Sequence, residues 1–397
     1  MKLRIAIVAH GRFTTFQLAK ALLKRGHDVH LFTNYPKRLV PRFGIPEDRI
    51  DSCGIHGITA RVCWMMRERK VALYPERWLH ETFGRWAAHT VTRQHWDFVY
   101  CYSGGAEELF RALKNSGTGC WLARGSTHIR TQARLLQEEE QRAGAPVDKP
   151  SDWMIGREER EYALANVIVT QSSFAMKSFP DSLSEKVLCI PLGVEVEDFR
   201  AQPETVEERQ RRIRSGSKLR VLFVGTRSYR KGLIDLAEIA RATAGRFHMR
   251  LVGPTEGTAA NLVNQLKTKV EVMEAVPETR LREIYAWGDV FVFPTIEDGF
   301  AMVLAQAHAN GLPILTTGNC AAPDFIQEGK TGWILPIRSA AAFVKKLNWC
   351  DEHRAELAEM VGRTGHDFRS RSWDDVARDH ETAMQQRLTD SRLCHSA

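Results

Sequence analysis

One stretch of the sequence, residues 290–314, constrains the fold more than any other. It begins with a short apolar run, Val290 to Phe293, which is typical of a buried parallel strand. A helical segment, Met302 to Ala309, follows and closes on Asn310-Gly311, a pair that favours a helix end. A second strand, Pro313 to Thr317, starts at once. This pattern predicts a strand–helix–strand unit of an open α/β sheet.

Two carboxylates, Glu297 and Asp298, stand between the first of these strands and the helix. Open α/β sheets bind ligands at the carboxyl ends of their strands. The start of a helix also presents free backbone N–H groups and a positive dipole end, which suit a phosphate or a sugar hydroxyl. The stretch therefore predicts a polar ligand site. The alternative is an ordinary strand–helix–strand unit with a solvated acidic turn.

A basic loop follows another predicted strand, Leu219 to Val224. It runs from Gly225 to Gly232 and carries Arg230 and Lys231 just before a predicted helix. Two cations ahead of a helix N-terminus suit a diphosphate. The loop lacks the Gly-Lys-Ser/Thr of a Walker motif. The alternative is a solvated basic turn.

Together the two loops resemble retaining glycosyltransferases of the GT-B fold, glycosyltransferase family 4 (glycosyl transferases group 1). The family signature is a Glu, then Gly-Phe-Gly, then a second Glu eight residues after the first, on a helix that ends in Gly-x-Pro. Here Asp298 stands at the first acidic position and Gln306 at the second, so both depart from the family pattern. The segment Gly225 to Gly232 matches the family's Gly-x-x-x-x-Arg-Lys-Gly loop.

The resemblance implies an α/β protein with two Rossmann-like domains, whose parallel sheets face each other across a cleft. We expect residues 1–198 to form an acceptor-side domain and residues 199–371 a domain that binds the nucleotide sugar. A helix near residues 372–390 is expected to return and pack on the first domain.

The resemblance also implies roles for individual residues. Asp298, or Glu297 one step earlier, would hold hydroxyls of the donor sugar, and Gln306 would hold the ribose. His128 follows a predicted strand and would touch the transferred sugar. The residues predicted to be catalytic are His128, Arg230, Lys231 and Asp298. Those predicted to bind the donor are Gly11, Gly225, Arg230, Lys231, Glu297, Asp298, Gly299, Phe300, Ala301, Met302, Val303 and Gln306.

The implied reaction transfers a sugar from a nucleoside diphosphate sugar to a glycan or lipid-linked acceptor, with retention of configuration, in surface polysaccharide or glycolipid synthesis. We expect no cofactor beyond that substrate and no metal, because no Asp-x-Asp or His/Cys ligand set is evident. One alternative is a nucleotide-sugar epimerase or a phosphorylase of the same fold. Another is a non-catalytic sugar-nucleotide-binding protein, which the departures at Asp298 and Gln306 favour.

Charge and cysteine usage limit the partners and the compartment. The formal net charge of +8 and the pI near 9.1 suit an anionic partner, but no nucleic-acid-binding motif is present, so nucleic acid is not expected. The 8 cysteines form no Cys-x-x-Cys pair and are typical of free thiols. No apolar run approaches the roughly 20 residues of a membrane span. We expect a cytoplasmic protein.

Four segments give further expectations. Arg61 to Lys70 mixes bases with Trp64, Met65 and Met66, which predicts peripheral contact with the anionic inner face of a membrane; the alternative is a charged helix face. The helix Glu76 to Gln94 should bury its three aromatic residues, Trp78, Phe83 and Trp86. Glu138 to Pro150 is expected to be a polar loop, and Pro203 to Ser217 a solvated helix and hinge.

Overall fold

The computed structural model describes residues 1–68, 74–367 and 371–396. Arg69 and Lys70, at the end of the basic segment predicted to touch a membrane, lie outside these residues. The chain forms two wholly parallel sheets, each covered by helices on both faces. This is the arrangement that alternating strands and helices predict.

The N-terminal sheet has seven parallel strands in the order β3-β2-β1-β4-β5-β6-β7. The interior strand β1 is buried on both faces, as its continuous apolar sequence predicts. Because the chain order reverses between β1 and β4, the loops after these strands lie side by side at one edge. The strands are β1 Arg4–Ala9, β2 Asp28–Thr33, β3 Ile50–Ser52, β4 Phe98–Tyr102, β5 Gly119–Ala123, β6 Val167–Thr170 and β7 Val187–Cys189.

In the described part of residues 1–198, seven helices accompany this sheet. They are α1 Thr15–Lys24, α2 Gly54–Glu68, α3 Glu76–Val91, α4 Glu107–Leu113, α5 Ile129–Ala143, α6 Asp152–Leu164 and α7 Ser173–Lys177. Helix α1 packs on the sheet through Phe16, Ala19 and Leu22, which recur at helical spacing and are buried.

The C-terminal sheet has six parallel strands in the order β10-β9-β8-β11-β12-β13. Its order reverses between β8 and β11, which places the basic loop next to the acidic turn. The strands are β8 Arg220–Val224, β9 His248–Val252, β10 Glu271–Met273, β11 Val290–Phe293, β12 Ile314–Thr317 and β13 Gly332–Leu335. The helices are α8 Pro203–Arg214, α9 Leu233–Ala242, α10 Ala260–Leu266, α11 Leu281–Trp287, α12 Met302–Ala309, α13 Ala322–Phe325, α14 Ala340–Glu352 and α15 Arg354–Asp367.

The last helix, α16 (Trp373–Ser396), packs against α1 of the N-terminal part. Arg25 donates hydrogen bonds to Glu381 (2.8 Å) and to Asp374 (3.1 Å). Val376 and Met384 of α16 lie in the same hydrophobic core as β1. The division of the chain at residues 198 and 199 remains our proposal.

Ion pairs and hydrogen bonds join the two halves. Arg142 of α5 pairs with Asp235 of α9 at 2.6 Å. Arg338 donates to Glu139 of α5 at 3.0 Å, and Asp324 accepts a hydrogen bond from the Ser173 N–H at 2.9 Å. These contacts hold the two sheets in one defined arrangement.

One local expectation is wrong, and another holds only in part. The predicted loop Glu138 to Pro150 begins as helix, because α5 continues to Ala143 and buries Leu135, Leu136 and Glu139 along one face. Helix α8 is not simply solvated, because Arg209 is fully buried and donates to the carbonyls of Gly288 and Asn310, both at 2.7 Å. Such partners lie far away in sequence and leave no local signal.

Among the three aromatic residues of α3, only the burial of Phe83 follows the prediction fully. Trp78 is 52% exposed, and Trp86 is partly buried. The seven cysteines with described side chains are free thiols. Across residues 1–68, 74–367 and 371–396, no helix combines the length and apolarity needed to cross a bilayer.

Candidate functional site

The loops after β8 and β11 are joined directly. The Arg230 carbonyl accepts hydrogen bonds from the Ile296 N–H (2.9 Å) and the Thr295 hydroxyl (3.3 Å). Gly232, with φ +78°, allows this approach, because a Cβ there would lie 1.9 Å from the Pro294 carbonyl oxygen. The backbone thus fixes Arg230 and Lys231 beside the acidic turn.

Lys231 forms an ion pair with Asp298 through Nζ and Oδ2. The other carboxylate oxygen, Oδ1, accepts hydrogen bonds from the backbone N–H groups of Phe300 (3.1 Å) and Ala301 (2.9 Å). Both charged side chains are largely buried. Asp298 therefore links the basic loop to the start of α12.

The two charges stabilise each other. Burial raises the pKa of Asp298, but the charges of Lys231 and Arg230 and the hydrogen bonds hold that pKa below its usual value. Burial lowers the pKa of Lys231, and the charge of Arg230 lowers it further, against the raising effect of Asp298. The site thus keeps a buried carboxylate close to two cations.

The start of α12 presents free backbone donors. Met302 and Val303 are its first residues, and their N–H groups have no acceptor among the described residues. Ala301 precedes them in the left-handed conformation (φ 66°, ψ 67°), at the position where the family signature has glycine. Two unpaired N–H groups at the positive end of a helix suit a phosphate.

Arg230 lies at the edge of this arrangement. Its side chain is one-third exposed, and its Nε has no hydrogen-bond partner. The nearest carboxylate oxygen is Oε2 of Glu297, at 3.6 Å. Its terminal Nη1 and Nη2 groups donate to no acceptor among the described residues, so they can donate to a ligand.

Glu297 faces the other half of the molecule. Its Oε1 accepts hydrogen bonds from the Ser126 hydroxyl and from the N–H and hydroxyl of Thr127, the last two at 3.0 Å. Its Oε2 lies 3.5 Å from Nε2 of Gln132. Burial raises the pKa of Glu297, but Arg230 and these hydrogen bonds hold it below its usual value. The carboxylate predicted to bind the donor is thus engaged between the domains.

The backbone of the two halves touches at Gly299. A Cβ on Gly299 would lie 2.2 Å from the Gly125 carbonyl oxygen. The Tyr102 hydroxyl lies against Gly125 in turn, since a Cβ there would be 1.7 Å from it. The Tyr102 ring stacks on Phe13 with centroids 4.3 Å apart. The aromatic pair Phe13 and Tyr102 of the N-terminal half therefore lies close to the acidic turn, with Gly125 between Tyr102 and Gly299.

Gln306 lies on α12 and is buried. Its Oε1 accepts a hydrogen bond from the Tyr285 hydroxyl at 2.8 Å, while its Nε2 has no partner among the described residues. Tyr285 is fully buried on α11. This pair could not be predicted, since nothing in the segments of α11 and α12 indicates that Tyr285 and Gln306 meet.

His128 is not brought together with Lys231 and Asp298. Its Nδ1 accepts from the Arg130 N–H at 3.3 Å and so caps α5. Its ring packs against Tyr162 and Phe179, with both centroids 5.1 Å away. Burial lowers the pKa of His128. The preceding polar pair, Ser126 and Thr127, reaches the acidic turn instead.

The two remaining predicted glycines lie in turns at strand ends. Gly11 has φ +122° in the turn after β1. Gly225 has φ +150° after β8. A Cβ on Gly253 would lie 2.1 Å from the Gly225 carbonyl oxygen, so the two backbones approach closely. Arg12, which follows Gly11, lies 3.9 Å from Glu278 of the other half. Both glycines let the backbone make these tight turns.

The described part of the chain contains no evident metal-binding site. No group of three or more His, Cys, Asp or Glu side chains there could hold a metal ion. The expectation that the reaction needs no metal remains a prediction.

Known proteins resemble this chain in its fold and, within the C-terminal half, in its sequence. Residues 218–352, about a third of the chain, match the family model described as "Glycosyl transferases group 1". A relative in Erwinia amylovora, "Amylovoran biosynthesis glycosyltransferase AmsK", is 24% identical over 196 residues, which cover 45% of each chain. The chain spans about half the length of the curated relatives it matches.

Two solved structures share the whole architecture. Sucrose-phosphate synthase from Thermosynechococcus elongatus matches with a TM-score of 0.73 at 16% identity, covering 98% of this chain and 100% of that one. Anabaena Alr3699/HepE, solved in complex with UDP, matches with a TM-score of 0.69 at 12% identity, covering 97% and 100%. At these identities the likeness concerns the fold.

The two Rossmann-like domains and their switch-point loops define a protein of the GT-B fold. Within it, residues 218–352 match the glycosyl transferases group 1 family model. The predicted fold and the predicted family resemblance are thereby confirmed. Assignment to family 4 and retention of configuration remain predictions.

Proposed function

We propose that this protein is a glycosyltransferase that moves a sugar from a nucleoside diphosphate sugar to a glycan or lipid-linked acceptor, with retention of anomeric configuration. The observation that carries the proposal is the meeting of Arg230 and Lys231 with Asp298 and the free start of α12. Cations, unpaired backbone donors and a carboxylate from two adjacent loops suit the two chemical parts of such a donor, its phosphates and its sugar.

The diphosphate would bind to the basic loop and the helix start. Lys231 and the exposed donors of Arg230 supply charge-assisted hydrogen bonds, and the N–H groups of Met302 and Val303 supply neutral ones. Charge grows on the leaving diphosphate as its bond to the sugar breaks. Fixed donors aimed at that position stabilise the transition state more than the ground state.

The donor's sugar and ribose would bind at the carboxylate and the amide. Asp298 already accepts three hydrogen bonds from the protein, and its oxygens have lone pairs left for a sugar hydroxyl. The free Nε2 of Gln306 can donate to a ribose hydroxyl while Tyr285 holds the amide oxygen. Both departures from the family pattern thus keep groups able to bind.

The engagement of both carboxylates favours same-face attack over a covalent intermediate. Asp298 is held by Lys231 and two backbone N–H groups, and Glu297 by the other domain. In same-face attack the bond between the anomeric carbon and the phosphate oxygen breaks, and the bond to the acceptor oxygen forms on that same face. The acceptor proton passes to the departing phosphate oxygen, and the products are a glycoside and a nucleoside diphosphate.

The acceptor and the cellular site belong to the same proposal. The Erwinia relative is an amylovoran biosynthesis glycosyltransferase, and this likeness supports a surface polysaccharide or glycolipid product. The acceptor would approach from the side of Phe13 and Tyr102. We further propose a cytoplasmic enzyme bound peripherally at the anionic inner face of a membrane, supported by its net charge of +8.

Nucleotide binding tests the site. Thermal stabilisation by UDP-, GDP- and ADP-sugars identifies the donor, and calorimetry then compares Arg230→Ala and Lys231→Ala with the native protein. Losing one charge-assisted hydrogen bond costs about 1.5–3 kcal/mol, which is roughly a 10- to 150-fold weaker affinity. Arg241→Ala, an exposed cation on α9, serves as the control and should bind normally. Unchanged affinity in both site variants would remove the diphosphate assignment.

A non-catalytic sugar-nucleotide-binding protein is the second candidate. The replacement of the family's two Glu residues by Asp298 and Gln306 favours it, since Gln306 can hydrogen-bond a ribose but lacks the family's negative charge. Product analysis separates the candidates. An enzyme releases nucleoside diphosphate and forms a glycoside, whereas a binding protein leaves the donor intact; an epimerase or phosphorylase yields a different sugar product.

A further inference from the structure

Helix α2 exposes an unusual amount of apolar surface. Of the ten large hydrophobic side chains that the described residues leave exposed, six lie on this one helix. At about 100° per residue, five of them share a stripe roughly 100° wide. We name this stripe the outward face; it consists of Ile55 (83% exposed), Ile58 (61%), Val62 (48%), Met65 (41%) and Met66 (38%).

The opposite side of α2 is the one that packs on the protein. His56 bonds to Asn34 (3.1 Å) and to the Leu79 carbonyl (2.9 Å). Gly57 lies so close to the loop after β2 that a Cβ would be 1.9 Å from the Asn34 carbonyl oxygen. A helix of a soluble domain normally packs its large apolar residues inward. Here polar and small residues face inward and the large apolar ones face out.

Exposed cations border the outward face. Arg61 is exposed on α2 itself, about 90° from the centre of the stripe. Lys37 and Arg38 are exposed in the turn after Pro36, which lies against Gly54 at the start of α2. The exposed Trp78 stacks near His56 on the flank of the helix. Apolar, aromatic and basic groups together match the boundary between acyl chains and anionic head groups.

Two acidic residues near this surface, Asp148 and Glu81, are paired with bases. Asp148 accepts a hydrogen bond from Arg67 at 2.9 Å. Glu81, one turn after Trp78, is held by Arg77 at 2.8 Å and by Arg85 at 3.0 Å. The positive charge of Arg61, Lys37 and Arg38 is thus not cancelled by these carboxylates.

We infer that the outward face of α2 docks on an anionic lipid bilayer, with Ile55, Ile58 and Val62 entering the head-group boundary and Arg61 contacting lipid phosphates. A second copy of the chain fits less well. In a two-fold symmetric contact the same patch meets itself, so Arg61 and the neighbouring cations would oppose like charges. A bilayer supplies both the apolar layer and the opposite charge.

Docking through α2 would bring the enzyme to a lipid-linked acceptor, and in this respect the docking face rests on the proposed function. The two can nevertheless fail separately, because vesicle binding is measured without donor or acceptor. Active enzyme that ignores vesicles would overturn the docking face alone. Vesicle binding by a protein that transfers no sugar would leave the docking face intact and overturn the activity.

Vesicle sedimentation tests the surface. The native protein should bind vesicles of phosphatidylglycerol and phosphatidylcholine at low salt, with binding at least tenfold weaker to pure phosphatidylcholine and weaker at high salt. The double variant Ile58→Asn/Val62→Asn should lose at least tenfold in partition coefficient on the anionic vesicles. Met176→Asn, which alters an apolar side chain 36% exposed on another surface, is the matched control and should bind as the native protein does.

Each other result overturns the inference. Equal binding of the double variant and the native protein would show that the apolar stripe does not contribute to vesicle binding. Equal binding to both vesicle types would show that the basic residues do not contribute to it. A concentration-dependent dimer that the double variant abolishes, without vesicle binding, would assign the face to self-association. If the double variant does not fold, Arg61→Glu decides: it should weaken binding to anionic vesicles several-fold, and unchanged binding would contradict the docking face.

Discussion

Replacing Glu297 by alanine should loosen the contact between the two domains. Glu297 is fully buried and receives hydrogen bonds from Ser126 and Thr127, which belong to the other half of the molecule. It is also the carboxylate nearest to Arg230. Glu297→Ala therefore removes, at once, a connection across the cleft and the charge that faces Arg230.

The magnitude follows from the groups left behind. The buried Thr127 N–H loses its acceptor, at a cost of about 1–3 kcal/mol. Removing one partner from a buried charged network costs about 3–5 kcal/mol in total. Because the broken contacts join two domains, most of this loss should weaken the closed arrangement rather than the core of either domain. A loss of about 3 kcal/mol shifts the equilibrium between closed and open forms more than 100-fold.

Small-angle X-ray scattering measures the effect as a larger radius of gyration for Glu297→Ala than for the native protein. Calorimetry should show weaker nucleotide binding in the same variant, since Arg230 is no longer positioned. Glu278→Ala is the control: its pair with Arg12 also crosses the cleft, but at 3.9 Å between exposed side chains, and such pairs contribute little. Identical scattering and identical nucleotide affinity in Glu297→Ala would refute the reasoning.

Three further predictions concern single residues. Ala301→Gly should raise the free energy of unfolding by up to about 1 kcal/mol in urea titrations, because a left-handed conformation costs an L-residue roughly 1–2 kcal/mol. Ala305→Gly, inside the helix α12 that follows, is the control and should instead lower the free energy of unfolding. Gln306→Leu should raise the donor KM about 10-fold, roughly 1.4 kcal/mol, whereas Gln306→Glu should keep activity; an unchanged KM in a folded Gln306→Leu protein would make the helix a packing element only. Burial lowers the pKa of His380 to about 4, so the unfolded chain binds its proton first as the pH falls below about 6.5, and stability declines from there to pH 4. His380→Phe should therefore reduce the stability difference between pH 7 and pH 5 by about 2 kcal/mol in urea titrations; an undiminished difference would contradict a buried neutral His380.

Apolar periodicity and turn residues were enough to predict the strand–helix–strand unit of the C-terminal sheet. The strand Val290–Phe293 and the helix Met302–Ala309 occur with the predicted bounds, because each has a run of buried residues with a clear stop. The adjacency of the basic loop and the acidic turn also follows from strand order, since parallel strands β8 and β11 end at the same edge.

Side-chain partners across the cleft could not be predicted in the same way. Glu297 meets Ser126, a residue 171 positions away, and only the packing of the two domains decides which polar residue of the turn after β5 reaches it. His128, two residues later, turns toward Tyr162 instead. The outward face of α2 was missed in part, because a periodic apolar stripe does not itself tell whether it faces the core or the solvent.

The most direct test of the proposed function is to supply the donor that stabilises the protein, together with glycan and lipid-linked acceptors, and to determine the product's anomeric configuration by proton NMR. The proposal predicts release of nucleoside diphosphate together with a glycoside whose anomeric configuration is that of the donor, and loss of both products in Asp298→Ala. A glycoside of inverted configuration would contradict the retaining mechanism, and an intact donor with every acceptor would contradict transfer itself.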